Sequence, residues 1–293
     1  MRWYFAIDES GAKGELGDMA KLAVLSARAV GGLEPVLLYH GAPSAFTAWM
    51  ERQRVRVVTA RPSVWAAVEQ ARTGGPHNPH TIGHWLRVTI PQVETEQEYV
   101  LYTDCDVIFL RRFAWESLRP KVFAAAPEFE PDDWRRFNSG VMVLSVPAMR
   151  ATWPAFEAQI VARLADPEYP GYNDQFALNE CYAGHWERLP ALCNHKPYWP
   201  FDPQAAVLHF HGPKPRMVDA LARRALADPG KAAQFFNRML DARADCYVDW
   251  TRFLGDYLQA VDFDSALGFA RLASALTAYR KTLPAMERPW PPC

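Results

Sequence analysis

Residues 100 to 110 form an apolar segment that two carboxylates interrupt. Apart from Asp104, Asp106, Thr103 and Cys105, every residue in this segment is large and apolar. β-Branched and aromatic side chains of this kind favour a buried strand. Removing the water around an ionised aspartate costs several kcal/mol when no partner replaces it. The sequence therefore predicts a specific partner for the two aspartates.

Asp104 and Asp106 are two residues apart, and side chains at that spacing share one face of an extended segment. Their oxygens can then bind one hard cation, and Mg²⁺ or Mn²⁺ takes one or two protein carboxylates together with water and substrate phosphates. The alternative is a strand that simply ends in two solvated aspartates. An Asp-x-Asp motif alone leaves both interpretations open.

Composition excludes several classes of protein. The chain has 293 residues and a formal net charge of −1, so it lacks the basic character of a nucleic-acid-binding protein or of one held on an anionic membrane. It has no apolar run near the roughly 20 residues that span a bilayer. Its start also lacks a signal-peptide core. Peripheral membrane contact stays open.

The five cysteines are scattered and form no Cys-x-x-Cys pair. This pattern argues against a disulfide framework or a zinc site, and it indicates a reducing compartment. We therefore expect a cytoplasmic protein.

Strand and helix patterns alternate through the first two thirds of the chain. Strands are predicted at 3–7, 35–39, 55–59, 100–110, 122–126, 141–146 and 205–210. Helices are predicted at 18–30, 63–72, 81–90, 154–164 and 173–182, with Pro91 ending the third and Pro154 in the first turn of the fourth. This alternation predicts an α/β fold with a mainly parallel sheet flanked by helices. In such sheets ligands bind beyond the carboxyl ends of the strands.

After residue 215 the pattern becomes helical, with helices predicted at 218–226, 232–244, 249–261 and 266–279. We therefore expect a catalytic domain over residues 1–215 and a C-terminal helical appendage over residues 216–293, packed on that domain or extending it.

A second candidate cation site follows the strand at 205–210. His209 and His211 are again two residues apart, and a neutral imidazole can complete a site that has two carboxylates. Spacing does not choose between them. Gly212 would let the backbone approach a phosphate, and Lys214 would neutralise a diphosphate oxygen. A lone histidine there would more often be a hydrogen-bonded structural residue.

Two further segments have a plain structural interpretation. Asn138-Ser139-Gly140 is typical of a turn before a strand, and Asn173 is a suitable N-cap for a helix that begins at Asp174. In the functional interpretation, Asp174 and Gln175 project from that helix start into the same cleft.

Taken in order, four motifs resemble those of the family 8 glycosyltransferases. The motifs are Tyr102-Thr103-Asp104-Cys105-Asp106, Asn138-Ser139-Gly140, Asn173-Asp174-Gln175 and His209-Phe210-His211-Gly212-Pro213-Lys214-Pro215. The resemblance implies the GT-A fold, a Mn²⁺ ion (with Mg²⁺ as the alternative), a UDP-sugar donor and transfer with retention of configuration. It runs from Phe5 to Pro215.

The resemblance also implies roles for individual residues. It places the metal on Asp104, Asp106 and His209, and it makes Gln175, close to the anomeric carbon, and Asp174 the catalytic candidates. The donor-binding set that it implies is Asp8, Ser10, Arg87, Asn138, Gly140, Gly212 and Lys214.

The chain departs from the family's pattern at two positions. After the first strand the family usually has an acidic pair, a polar residue and a tyrosine that stacks on uracil, whereas here Gly11 follows Asp8-Glu9-Ser10. Asp8 is then the group available to accept the uracil N3–H. Arg216 replaces a tryptophan that the family often has after the last proline.

From these patterns we expect a metal-dependent hexosyltransferase whose acceptor is a glycan or a lipo-oligosaccharide. Two alternatives remain. One is a non-catalytic protein that binds nucleotide sugars, and the other is a metal-dependent phosphohydrolase with an Asp-x-Asp nucleophile. The second would place its motif on an early strand, with Thr or Val where this chain has Ile108. The donor sugar and the acceptor are not encoded in any motif.

Overall fold

A computed structural model describes residues 1–74, 79–166, 168–169, 171–224 and 231–283. The strands are β1 (Arg2–Asp8), β2 (Glu34–His40), β3 (Arg56–Thr59), β4 (Tyr99–Thr103), β5 (Val107–Phe109), β6 (Phe123–Pro127), β7 (Phe137–Ser145), β8 (Glu187–Arg188) and β9 (Val207–His209). The α-helices are α1 (Glu9–Ala12), α2 (Glu15–Val30), α3 (Ala45–Arg52), α4 (Trp65–Gly74), α5 (Ile90–Val93), α6 (Val146–Ala165), α7 (Asp174–Cys181), α8 (Pro215–Ala222), α9 (Lys231–Tyr257) and α10 (Phe263–Arg280). Short 3-10 helices lie at Pro79–Thr89, Trp115–Ser117, Ala191–Asn194 and Leu258–Ala260.

Seven strands form the main sheet in the order β3-β2-β1-β4-β7-β6-β8. The strands β3, β2, β1 and β4 are parallel, whereas β7 is antiparallel to both β4 and β6. The expectation of a mixed, mainly parallel sheet flanked by helices is confirmed. The carboxyl ends of β1 and β4 meet the beginning of β7, and all three face the candidate site.

Alternation along the strands gives the sheet two apolar faces. Trp3 and Phe5 pack with α2 and α3 on one face, and Tyr4 packs with α4 and α6 on the other. A strand covered on both faces reads as a continuous apolar run, as β1 and β4 do. The core therefore lies in two layers, one on each side of the sheet.

The sequence predicted one strand from residue 100 to residue 110, but the structure has two. The segment divides into β4 in the main sheet and β5 in a two-stranded sheet with β9, and Asp104-Cys105-Asp106 connects the two. The Asp104 N–H donates to Gly140 O (2.7 Å), and the Phe210 N–H donates to Asp106 O (2.8 Å). These contacts pull the two ends of the connection to different partners, which no local pattern predicts.

Three other local predictions were wrong. Asn138-Ser139-Gly140 lies inside β7 and is not a turn before it. Pro91 does not end a helix but lies in the first turn of the short helix α5. Pro154 lies inside α6, whose first turn instead contains Pro147.

The C-terminal region is helical, as predicted, but two of the predicted helices are one element. α9 continues across a kink at Arg243, whose φ of −126° and ψ of 21° are not helical. Residues of α8, α9 and α10 share an apolar cluster with Met19 of α2 and with Ile108 and Leu208 of the two-stranded sheet. The boundary at residue 215 stays a prediction. Across the described ranges, no helix is both long enough and apolar enough to cross a bilayer.

Candidate active site

A cleft of about 510 Å³ opens at the carboxyl ends of β1 and β4. The predicted site residues that line it are Asp8, Ser10, Arg87, Asp104, Asp106, Asn138, Asp174, Gln175, His209 and Lys214. Gly140 and Gly212 are the two predicted residues that do not line it. Segments more than 200 residues apart in the chain, from Asp8 to Lys214, thus line one pocket.

Asp104, Asp106 and His209 bring one potential ligand atom each to within 4.8 Å of the others. His209 Nε2 lies 3.4 Å from Asp106 Oδ1 and 3.7 Å from Asp104 Oδ2. Two carboxylates and one imidazole are ligands that suit Mn²⁺. The set of residues therefore fits a divalent metal, and nothing in the geometry distinguishes Mn²⁺ from Mg²⁺.

The two oxygens of Asp104 have different surroundings. Oδ1 accepts from the Tyr102 hydroxyl (2.8 Å) and lies 2.8 Å from Arg87 Nη2. Oδ2 is the oxygen that faces His209. Tyr102 and Arg87 therefore hold the carboxylate with one oxygen directed towards the other two candidate ligands.

Asp106 is buried and forms an ion pair with Lys214. Burial raises the pKa of the Asp106 carboxyl, but Lys214 and His209 outweigh this effect and hold the pKa well below its ordinary value. Lys214 Nζ also donates to Phe210 O (2.9 Å). The ammonium group thus lies beside the three candidate ligands and faces the cleft.

Arg87 is a buried cation between two acids. Its Nη2 contacts Asp104, and its Nε lies 2.6 Å from Asp174 Oδ2. Its Nη1 donates to Ser139 O (2.7 Å) and Ser139 Oγ (2.8 Å), and its Nε donates to His84 O (3.3 Å). Protein atoms therefore use most of the guanidinium donors, so the structure supports a role in holding Asp104 and Asp174 more directly than contact with a ligand.

Asp174 is buried, and burial raises the pKa of its carboxyl despite the nearby Arg87. Although Arg87 Nε is close to Oδ2, its N–H points to His84 O, and Oδ2 accepts no hydrogen bond from the described residues. A buried carboxylate oxygen without a hydrogen-bond donor is costly. The guanidinium of Arg87, whose Nε lies 2.6 Å from Oδ2, is the charge that compensates this burial.

Gln175 has a fixed side chain. Its Oε1 accepts from Asn138 Nδ2 (3.0 Å), the Ser139 N–H (2.9 Å) and Ser139 Oγ (3.3 Å). Its Nε2 donates to Glu128 Oε1 (2.6 Å). Asn173 caps the helix behind it by accepting from the Phe176 N–H (3.0 Å), as predicted. The amide is thus held at the edge of the cleft before any ligand binds.

The predicted base-binding side lies at the end of β1. Asp8 caps α1, with Oδ1 accepting from the Gly11 N–H (2.7 Å). Ser10, Gly11 and Gly14 follow along the cleft wall, together with Leu16. One carboxylate oxygen of Asp8 therefore already accepts a hydrogen bond from the protein backbone. Because residue 11 is glycine, no aromatic side chain at that position is available to stack on a base.

Gly140 and Gly212 do not line the cleft, and each has a structural reason to be glycine. A Cβ at Gly140 would lie 2.1 Å from His209 Cε1, so glycine is needed there to admit the His209 ring. Gly212 has a φ of +89°, which favours glycine. His211 lines the cleft, and its Nδ1 shares a hydrogen bond with the Tyr198 hydroxyl (2.7 Å). It does not belong to the group of three candidate ligands.

Sequence reasoning missed four residues that organise the site. Tyr102 and Ser139 belong to two of the motifs, but the sequence assigned neither of them a role. Asn194 and Glu128 were not predicted as site residues, although Asn194 is fully buried and its Oδ1 lies 2.9 Å from His209 Nδ1. Only the polar run around Asn194, between two apolar segments, gave any local signal.

Several solved glycosyltransferases share this architecture. The galactosyltransferase LgtC, in complex with donor and acceptor sugar analogs, superposes with a TM-score of 0.56 over 94% of this chain and 96% of its own, at 18% identity. The chain has the GT-A glycosyltransferase fold. The resemblance to family 8 predicted from the sequence is thus confirmed at the level of fold.

Two other glycosyltransferases agree with this assignment. The glycosyltransferase GlyE of Streptococcus pneumoniae TIGR4 gives a TM-score of 0.53 at 16% identity, over 85% of this chain and 62% of its own. Mouse xyloside xylosyltransferase 1 gives 0.53 at 16% identity, over 71% of this chain and 96% of its own. No family model matches the sequence, and no curated protein sequence matches it.

Proposed function

We propose that this GT-A protein is a metal-dependent glycosyltransferase that transfers a hexose from a nucleotide sugar, a UDP-sugar, with retention of configuration. The observation that carries the proposal is the convergence of Asp104, Asp106 and His209 within 4.8 Å in a cleft of about 510 Å³. A cleft of that size suits a ligand with the dimensions of a nucleotide sugar.

Asp104, Asp106 and His209 would hold Mn²⁺, with Mg²⁺ as the alternative, and the ion would neutralise charge on the departing diphosphate. Lys214 would stabilise the same charge by moving its ammonium group from Asp106 to the diphosphate, because that group lies beside the proposed metal ligands. Arg87 keeps Asp104 and Asp174 in place. We assign Asp174, which lines the cleft beside Gln175, to the donor-sugar side of the site.

Gln175 contributes position and polarity rather than base strength, because an amide does not take up a proton at neutral pH. In a retaining transfer, a phosphate oxygen of the leaving group accepts the proton of the acceptor hydroxyl on the same face of the sugar. Gln175, fixed by Asn138, Ser139 and Glu128, then stabilises charge near the anomeric carbon. In LgtC, a variant with glutamate in place of a glutamine is described as an active-site mutant of that protein.

We propose a glycan or a lipo-oligosaccharide as the acceptor, approaching from the side of Glu128 and His211. We also propose a cytoplasmic location, where thiols stay reduced. Cys105, Cys181, Cys193 and Cys246, the cysteines in the described ranges, are all unpaired, which supports a reducing compartment.

A thermal-shift screen with nucleoside diphosphates and nucleotide sugars, with and without Mn²⁺, tests donor binding. A ligand that binds only the folded protein raises its melting temperature. We expect UDP and a UDP-hexose to raise the melting temperature only when Mn²⁺ is present. Donor hydrolysis with Mn²⁺ then separates an active transferase from a non-catalytic sugar-nucleotide-binding protein, which would bind the donor without cleaving it.

A further inference from the structure

His209 has two ring nitrogens with different partners. Its Nδ1 lies 2.9 Å from Asn194 Oδ1, and its Nε2 faces Asp104 and Asp106. Both His209 and Asn194 are buried, with at most 1% of their surface exposed. Which nitrogen carries the proton decides whether Nε2 offers a lone pair or a hydrogen to a metal.

The backbone decides the direction of these hydrogen bonds. Asn138 Oδ1 accepts from the Gly140 N–H (3.1 Å), which can only donate, so the atom at that position is the amide oxygen. The Asn194 atom that meets the same oxygen at 2.9 Å must then be its NH₂ group. The other Asn194 atom is its carbonyl oxygen, so the His209 nitrogen beside it must carry the hydrogen.

The backbone N–H of Ser139 fixes the orientation of the Gln175 amide. It donates to Gln175 Oε1, which must therefore be the amide oxygen, and Asn138 Nδ2 donates to the same oxygen. Gln175 Nε2 in turn donates to Glu128, whose ionised carboxylate can only accept. All the donors along this route therefore point the same way, from His209 towards Glu128.

We propose that Asn194 is a positioning residue that holds His209 in the tautomer with hydrogen on Nδ1 and a lone pair on Nε2. It belongs to a directed hydrogen-bond chain, His209 to Asn194 to Asn138 to Gln175 to Glu128, that links the candidate metal ligand to the amide at the transfer site. The metal-binding consequence rests on the proposed function, whereas the tautomer is a property of the protein alone.

The competing explanation is that Asn194 only fills the core. Any large change at a fully buried position lowers stability, so stability does not distinguish the two roles. The tautomer and the metal affinity do, because an outer partner of a metal-ligating histidine typically contributes about 10- to 100-fold to metal affinity.

The first test is a ¹⁵N NMR spectrum of the metal-free, ¹⁵N-histidine-labelled protein, assigned with His209→Gln. We expect His209 to carry its hydrogen on Nδ1 in the wild type, and to show a mixture of tautomers in Asn194→Leu. A wild-type spectrum with the hydrogen on Nε2 would overturn the proposal without any variant.

The second test is Mn²⁺ affinity by calorimetry for Asn194→Leu and for a matched control, Asn179→Ala. Among the described residues, Asn179 hydrogen-bonds with backbone atoms of Phe137 and Gln175 and with none of the candidate ligands. We expect a loss of affinity of about 10- to 100-fold in Asn194→Leu and less than about a twofold change in the control.

Equal effects in the two variants, or no loss in Asn194→Leu, would overturn the positioning role. If Asn194→Leu does not fold, Asn194→Ser replaces it in the same comparison. If the wild type binds no Mn²⁺, the proposed metal site is wrong, and the NMR spectrum alone decides the role of Asn194.

Discussion

Replacing Gly140 with alanine should disable the proposed metal site by displacing the His209 ring. The new Cβ would lie 2.1 Å from His209 Cε1, 2.7 Å from Nδ1 and 2.9 Å from Asn138 Oδ1. Carbon atoms in contact prefer about 3.5 Å, so the ring would have to move by about 1.4 Å. That movement would also break the hydrogen bond between His209 and Asn194.

The expected cost follows from these contacts. Overpacking a buried site costs about 1–3 kcal/mol, and a lost buried hydrogen bond adds about 1 kcal/mol. We therefore expect Gly140→Ala to lower the unfolding free energy by about 2–4 kcal/mol in urea denaturation. Mn²⁺ affinity, measured by calorimetry, should fall at least about tenfold because the ring no longer directs Nε2 at the two aspartates.

Gly268→Ala is the matched control. Gly268 lies exposed in α10 with nothing within 4 Å of an added Cβ, so alanine should stabilise the protein by up to about 1 kcal/mol. Metal affinity should not change in this variant. If Gly140→Ala binds Mn²⁺ as tightly as the wild type, the argument that Gly140 admits His209 is refuted.

Four further predictions concern single residues of the site. Asp106→Ala should abolish Mn²⁺-dependent binding of a nucleoside diphosphate with the circular dichroism spectrum unchanged, and equal binding would contradict the metal assignment. His209→Ala should lose more metal affinity than His211→Ala, and the reverse order would exchange their roles. Gln175→Ala should lower kcat by roughly 10- to 1000-fold with little change in donor affinity, so a near wild-type kcat would remove Gln175 from the mechanism. Burial raises the pKa of the Glu128 carboxyl, so ionisation of this group lowers the stability of the folded protein above that pKa. Glu128→Gln should therefore be more stable than the wild type near pH 8. The difference in stability should disappear below about pH 4, where the carboxyl is protonated in both the folded and the unfolded state. A pH-independent difference would contradict the cause given.

The sequence predicted the parts of the site that depend on local order. Asp104 and Asp106 follow an apolar run, His209 ends another, and the order of the four motifs located the cleft. The capping role of Asn173 was also predictable, because it depends only on the three residues that follow.

The rest depends on contacts between distant segments. Arg87 meets Ser139 across 52 residues, and Asn194 Nδ2 meets Asn138 across 56. Neither pair has a local signature, so the ion pair of Asp104 with Arg87 and the chain through Asn194 could not be found by spacing. The family resemblance implied donor binding at Gly140, and that role stays a prediction. The contact between Gly140 and His209, 69 positions apart in the sequence, could not be predicted from local spacing.

The division of residues 100 to 110 between two sheets has the same origin. β5 pairs with β9, about 100 residues later, and this pairing gives His209 its place opposite Val107. A single continuous strand would have left the two aspartates without this histidine. The three side chains therefore lie close together, although not on the single strand that the sequence predicted.

Calorimetry of UDP binding with and without Mn²⁺, on the wild-type protein and on Asp104→Asn, tests whether the two aspartates and His209 form a metal site that holds a nucleoside diphosphate. We expect UDP to bind the wild type only with Mn²⁺, and Asp104→Asn to lose at least about tenfold in affinity, on the order of what one well-placed charged ligand contributes. Two results would contradict this metal site. One is that the wild type binds UDP equally well with and without Mn²⁺, and the other is that Asp104→Asn binds UDP as tightly as the wild type in the presence of Mn²⁺.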